Sequence, residues 1–201
     1  MLNIAVFVSG GGPNLQALID AQKSGLLKSG KITLVLSSKK GVFALERAEK
    51  NGIETAVISR KDLKSSEDFD RRILQTVKSH NIDIIVLAGF LSILGDGFIK
   101  EYKDRIINVH PSLIPAFCGK GMYGLKVHEA ALGRGVKLTG ATVHFVNEIP
   151  DGGRIIAQKG VEVLPDDTPE TLQKRVMEQA EWILLPRAVE SVCSALLSDK
   201  K

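Results

Sequence analysis

Cysteine is scarce in this chain of 201 residues: there are two, Cys118 and Cys193, far apart and in no CxxC pair. That excludes a disulfide scaffold and reads as free thiols in a reducing compartment. No apolar run reaches the roughly 20 residues that a membrane helix needs. The N-terminal MLNIAVFVSGGG lacks a charged leader region and reads as a strand, not a signal peptide. A cytoplasmic protein without membrane association is expected. The histidines, His80, His110, His128 and His144, form no HxxxH or HxxE pairing of the usual kinds, so no metal is expected. There is no GxSxG elbow, and Cys118 lies in no nucleophile pattern. Repeats, low-complexity stretches and linkers are also missing, which leaves a single domain over 1–201.

What is present is globular in kind: 44% hydrophobic and 25% charged residues, enough for a real core. Lysine and arginine number 27 against 23 acidic residues, a net charge of +4. That excess suits an anionic small molecule and is too dispersed to argue for nucleic acid.

Short apolar runs alternate with amphipathic stretches over the first two thirds. Strands are expected at 3–8, 31–38, 54–59, 82–90 and 106–110, and helices at 14–25, 42–52 and 65–81. Ser65 or Ser66 opens the third helix, whose first turn is acidic, as the helix dipole prefers. Such alternation implies βαβ units: a Rossmann-like α/β fold, its mostly parallel sheet covered by helices on both faces. After residue 135 the pattern changes. Segments 136–147 and 154–164 read as an antiparallel, hairpin-like addition around a DGG turn, and one long helix over about 168–197 closes the chain.

SGGGPN, residues 9–14, lies between the first strand and the first helix. Ligands of open α/β sheets bind beyond the carboxyl ends of the strands, and free N–H groups at a helix start suit an anion. The spelling is neither a P-loop, GxxxxGK[ST], nor a dinucleotide fingerprint, since Leu15 stands where a third glycine should be. A monophosphate cradle remains, with a ligand-free glycine turn as the alternative. Pro13 has no N–H, so Gly11, Gly12 and Asn14 would have to supply the backbone donors.

INVHPSLIP, residues 107–115, ends an apolar strand with Asn108 and His110 two positions apart, hence on one face. An amide and an imidazole converging on one oxygen make an oxyanion site, and a histidine can also pass protons. The alternative is a structural histidine with an asparagine in a turn. Asp151, opening DGG, would favour protonated His110 if the two were close; otherwise DGG is a plain hairpin turn.

Four stretches, VSGGGPNLQALI at 8–19, IIVLAGFLSIL at 84–94, INVHPSLIPAF at 107–117 and GATVHFVNEIPDGGRIIAQ at 140–158, together resemble the phosphoribosylglycinamide formyltransferase family. The resemblance implies folate-dependent transfer of a formyl group from 10-formyltetrahydrofolate, a co-substrate, to the amine of 5-phosphoribosylglycinamide, in purine synthesis. Asn108, His110 and Asp151 match the family's catalytic trio: the first two hold the oxyanion, and the third supports charged His110 and proton movement through water. Gly11, Gly12, Pro13 and Asn14 match its phosphate cradle. Glu181 matches a ribose contact, with a spacing shifted by one. Leu91, Ser92, Ile93 and Leu94, with Asn108 and the loop Asn147, Glu148, Ile149, Pro150 and Asp151, would line the folate. Small-molecule partners and a monomer or homodimer follow.

Three departures from the family pattern stand out. Pro13 replaces a common serine, and Ser92 replaces an arginine that meets the glutamate tail of folate. The loop 116–130 is longer than usual, and Lys120 or Lys126 is expected to restore the lost charge. Related hydrolytic formyltetrahydrofolate deformylases carry an extra N-terminal domain, and methionyl-tRNA formyltransferases an extra C-terminal one; neither is expected here, because the first strand begins at residue 3 and the chain ends soon after its last helix. A non-catalytic phosphate- or nucleotide-binding module is the alternative from another class.

Overall fold

Alternation along the first strand sets the architecture. In the structure, a computed structural model that describes residues 1–199, β1 spans Leu2–Val8. Ile4, Val6 and Val8 enter one hydrophobic cluster, and Ala5 and Phe7 enter another on the opposite side. Both faces of the strand are therefore buried, as period-two geometry in a covered sheet requires. On the first face pack α1 (Pro13–Lys23), through Leu15, Leu18 and Ile19, and α7 (Trp182–Ser198), through Leu184, Leu185 and Val189. On the second pack α3 (Ser66–Ser79), through Phe69, Ile73 and Val77, and α4 (Asp96–Glu101), through Phe98 and Ile99. Each such buried side chain contributes roughly 1.5–3 kcal/mol relative to exposure.

The seven strands are ordered β3-β2-β1-β4-β5-β6-β7. β1, β2 (Gly30–Ser37), β3 (Glu54–Val57), β4 (Ile84–Leu87) and β5 (Ile106–His110) pair in parallel. β6 (Leu138–Phe145) runs antiparallel to β5, and β7 (Ile155–Glu162) antiparallel to β6. The mostly parallel sheet with an antiparallel addition is the expected one. The order reverses between β1 and β4, which opens the crevice where open α/β sheets bind ligands.

Three expectations need correction. The strand expected over 82–90 pairs over Ile84–Leu87, because Gly89, at φ 76°, turns the chain out of the sheet although its neighbours are apolar. The expected 116–130 loop ends at α5 (Leu125–Arg134), whose buried face sets a histidine, His128, between Val127 and Ala131. The single helix over 168–197 is in three pieces. α6 (Pro169–Val176) packs Leu172 and Val176 against Ala141 and Val161, and a π turn over Met177–Glu181 then leads into α7. α2 (Phe43–Lys50) lies close to its expected bounds, and Ser65 caps α3 by accepting from the Asp68 N–H at 3.1 Å.

Candidate active site

β1 delivers the glycine loop to the switch point. Gly12 caps α1 in a left-handed conformation, φ 68°, and a Cβ there would come 2.7 Å from the Ala44 Cβ, so glycine is required. At Gly10 and Gly11 a Cβ would meet nothing within 4 Å. Packing within the chain does not explain glycine at those two positions, and the space in front of them is open. Pro13 takes the first helical position, and the first turn of α1 carries no acid to compete with an anion.

Asn14 closes one side of this cradle. Its Nδ2 donates to Glu181 Oε2 at 2.5 Å, in a contact buried from solvent. Burial pushes the Glu181 carboxyl above its ordinary value, and the bond from Asn14 offsets part of that rise. The π turn is what presents Glu181. It holds an extra residue per turn relative to an α-helix, so the helical phase after Val176 is displaced.

A carboxylate so placed costs stability. Its raised value means that the cost is absent below pH about 4.5, where the unfolded chain is also protonated, and grows as pH rises through the folded value. Glu181→Gln is expected to raise Tm at pH 7.5 by about 2–4 °C, the effect of about 1 kcal/mol in a chain of this size, with no gain at pH 4. Melting curves at the two pH values check this, and a lower Tm at pH 7.5 would refute it.

At the other end of the crevice β5 and β6 build a polar cluster. Asn108 lies directly opposite His144, and His110 opposite Thr142. Asn108 Nδ2 is 3.1 Å from His144 Nε2, and His144 Nδ1 donates to the Phe145 carbonyl at 2.8 Å. The Asn108 amide has two N–H groups; this contact engages one and leaves the second unspent. Asp151 Oδ1 also faces His144 Nε2, at 3.6 Å. The two contacts compete for one nitrogen, and the shorter belongs to Asn108. His110, 4% exposed, donates from Nε2 to the Phe117 carbonyl at 2.9 Å, which turns Nδ1 toward Asp151 Oδ2 at 3.6 Å.

Asp151 reaches this cluster because the loop after β6 doubles back over β5; it is not the plain hairpin turn that DGG spells. Gly153 lies so close to the Phe145 carbonyl that a Cβ would collide with it, and Asp151 itself sits at φ 56°. The Gly119 N–H donates to Asp151 Oδ2 at 2.8 Å. Burial alone would raise the Asp151 carboxyl. His144, the Gly119 N–H and the charge of His110 outweigh it, and the group ends below its ordinary value, ionised.

Sequence reasoning placed Asn108, His110 and Asp151 and missed His144. The missing signal was the antiparallel register that sets it against Asn108. It also missed His128, fully buried on α5, whose pKa burial pushes to about 4, with His110 adding to the effect. Cys118 has its thiol pushed up by burial and by Asp151, so it is no thiolate nucleophile.

The residues expected to meet folate divide. Leu91, Ile93 and Ile149 are exposed apolar side chains on the loops after β4 and β6, and Ser92 is half-buried beside them. Leu94 is instead 6% exposed and packs in the core, because it starts the descent into α4. Asn147 shapes its own loop, accepting from the Ile149 N–H at 3.0 Å, while Glu148 and Pro150 are exposed. Lys126 lies 5.0 Å over the Tyr123 ring. Ser92 and Leu91 line a hollow of about 400 Å³ together with Lys39, Lys40, Arg60, Lys61 and Asp62, the last paired with Lys40 at 3.3 Å. No helix among the described residues is long and apolar enough to cross a membrane.

An open glycine loop and an ionised Asp beside His and Asn lie at the carboxyl ends of the strands of a doubly covered sheet, where α/β folds of this kind bind their ligands. The chain belongs to the formyl transferase family, whose model matches residues 2–189. Among solved structures it resembles, over narrower ground, phosphoribosylglycinamide formyltransferase from Brucella melitensis: 42% identity, TM-score 0.87, covering 96% of this chain and 95% of that one. It also resembles glycinamide ribonucleotide transformylase 1 from Symbiobacterium toebii, with 34% identity, TM-score 0.91, and 97% and 89% covered. The Homo sapiens trifunctional purine biosynthetic protein adenosine-3 is 43% identical over 191 residues, 95% of this chain; the chain spans 18% of that protein's length.

Proposed function

We propose that this protein transfers the formyl group of 10-formyltetrahydrofolate to the amine of 5-phosphoribosylglycinamide in purine synthesis. The observation that carries the reading is the cluster of Asn108, His110 and Asp151, with an ionised carboxylate 3.6 Å from His110 Nδ1, at the end of the crevice that also opens on the glycine loop. A phosphate cradle alone would not need such a cluster, and the names of the solved relatives agree with this reaction.

The residues divide the work. The N–H groups of Gly11, Gly12 and Asn14 bind the substrate phosphate, while Glu181 accepts from ribose hydroxyls. Leu91, Ile93 and Ile149 cover the apolar ring system of the donor, and the cations around Lys39 and Arg60 offer charge where its carboxylates end, beside Ser92. The substrate amine attacks the formyl carbon, forming a C–N bond and a tetrahedral oxyanion. Asn108, through its second N–H, and His110, through Nδ1–H, donate to that oxygen. Asp151 is the counter-charge for the imidazolium and, through water, receives the proton that the amine must lose. As the oxyanion collapses, the bond to folate N10 breaks and N10 takes up a proton, leaving tetrahydrofolate. Holding the two substrates together supplies much of the remaining acceleration. The free cysteines fit a cytoplasmic setting.

Tetrahydrofolate release from 10-formyltetrahydrofolate, followed with and without phosphoribosylglycinamide, tests the reading. Release is expected to require the amine. Equal release without it would mean hydrolysis, and no release in either case would remove the enzyme reading altogether.

A further inference from the structure

The backing of the glycine loop is as specific as its front. In a trans peptide the C=O and the following N–H point in opposite directions. The Gly10 carbonyl accepts from the Ala44 N–H at 3.2 Å, so the N–H of Gly11, on the same peptide, faces away from α2. The Gly11 carbonyl accepts from Arg47 Nε at 2.9 Å, so the N–H of Gly12 is aimed the same way. Both donors expected to meet a phosphate are thus oriented from behind by one helix.

Arg47 is itself held. Its Nη1 donates to Gln16 Oε1 at 2.8 Å, on α1, and its guanidinium lies 4.6 Å over the Phe43 ring. A cation fixed on a peptide carbonyl draws charge toward it and strengthens the N–H at the other end as a donor. A neutral donor there would set the direction without this polarisation.

We infer that Arg47 is a positioning residue for the substrate phosphate, acting through the Gly11–Gly12 peptide, which it orients and polarises toward the anion. The inference rests on the reading of residues 11–14 as an anion cradle. It assigns to α2 a part in binding that no contact with the ligand is needed to explain.

Inorganic phosphate titrated against the backbone amide resonances of Gly11 and Gly12 separates the two readings. In the unaltered protein both amides are expected to shift; if they do not, the cradle and the inference fall together. In Arg47→Ala the phosphate affinity at those amides is expected to fall about tenfold, one lost charge-assisted hydrogen bond. The KM for phosphoribosylglycinamide rises by the same factor, while kcat at saturation and the KM for 10-formyltetrahydrofolate stay within about twofold. Arg47→Lys, which keeps the charge and loses the tie to Gln16, recovers part of the loss and serves alone if the alanine variant does not fold. The inference is overturned if the amides shift but the affinity is unchanged in Arg47→Ala. It is equally overturned if the loss falls on both substrates, or if Arg47→Lys binds phosphate no better than Arg47→Ala.

Discussion

Asn108→Ala lowers kcat by about 100- to 1000-fold, the usual cost of one preorganised oxyanion donor, and leaves the binding of both substrates nearly intact. The expectation follows from how the amide is spent. One N–H of Asn108 is committed to His144 at 3.1 Å, which locks the side chain. The other is free, and it emerges on the same strand face as His110, one pleat away. His144 in turn is locked by the Phe145 carbonyl, so the donor is held before the substrate arrives. A donor set in advance costs no reorganisation when charge develops on the oxygen. Steady-state rates alongside calorimetric affinities for the two substrates make the check. If activity were lost in proportion to binding, the amide would be a contact for the ground state and not for the oxyanion.

Asp151→Asn is the second large effect: kcat is expected to fall by about 1000-fold or more, as when the acid that orients a catalytic histidine is neutralised. The amide can still accept from the Gly119 N–H, so the loop keeps its anchor, but the charge facing His110 Nδ1 and His144 Nε2 disappears. The same charge has a stability signature. Because the folded value is below the ordinary 3.8, ionised Asp151 stabilises the fold above about pH 3.8. That contribution is lost as pH falls through the lower, folded value. Asp151→Asn should lack this component of acid unfolding while showing its full kinetic defect at pH 7.5. Retention of more than about a tenth of the wild-type kcat would remove Asp151 from the mechanism.

Much of this was legible before any coordinates. The parallel core reads from apolar runs such as IDIIVL, and the pair Asn108 and His110 reads from period-two geometry at a strand end. The glycine loop could be placed between the first strand and the first helix from the sequence alone. The rest depended on long-range register. His144 gains its role from lying opposite Asn108 across an antiparallel pair. Nothing local states that pairing. Asp151 was visible as part of DGG, but its approach to His110 needs a loop that folds back on the sheet through a positive φ and a glycine pressed against a carbonyl. The overlong strand at 82–90 and the unbroken helix at 168–197 share a cause. Apolar periodicity reports burial, and burial continues across places where the backbone changes conformation.

The π turn at Met177–Glu181 has a further consequence. It acts as a phase shifter between two screws, α6 and α7. Ahead of it, α6 is indexed to the antiparallel edge of the sheet through Ala141 and Val161; behind it, α7 is indexed to α1, to the parallel strand β2 and to the antiparallel strands β6 and β7. Glu181, the last residue of the slip, stands where one thread hands over to the other, and its carboxylate meets Asn14 of α1 there.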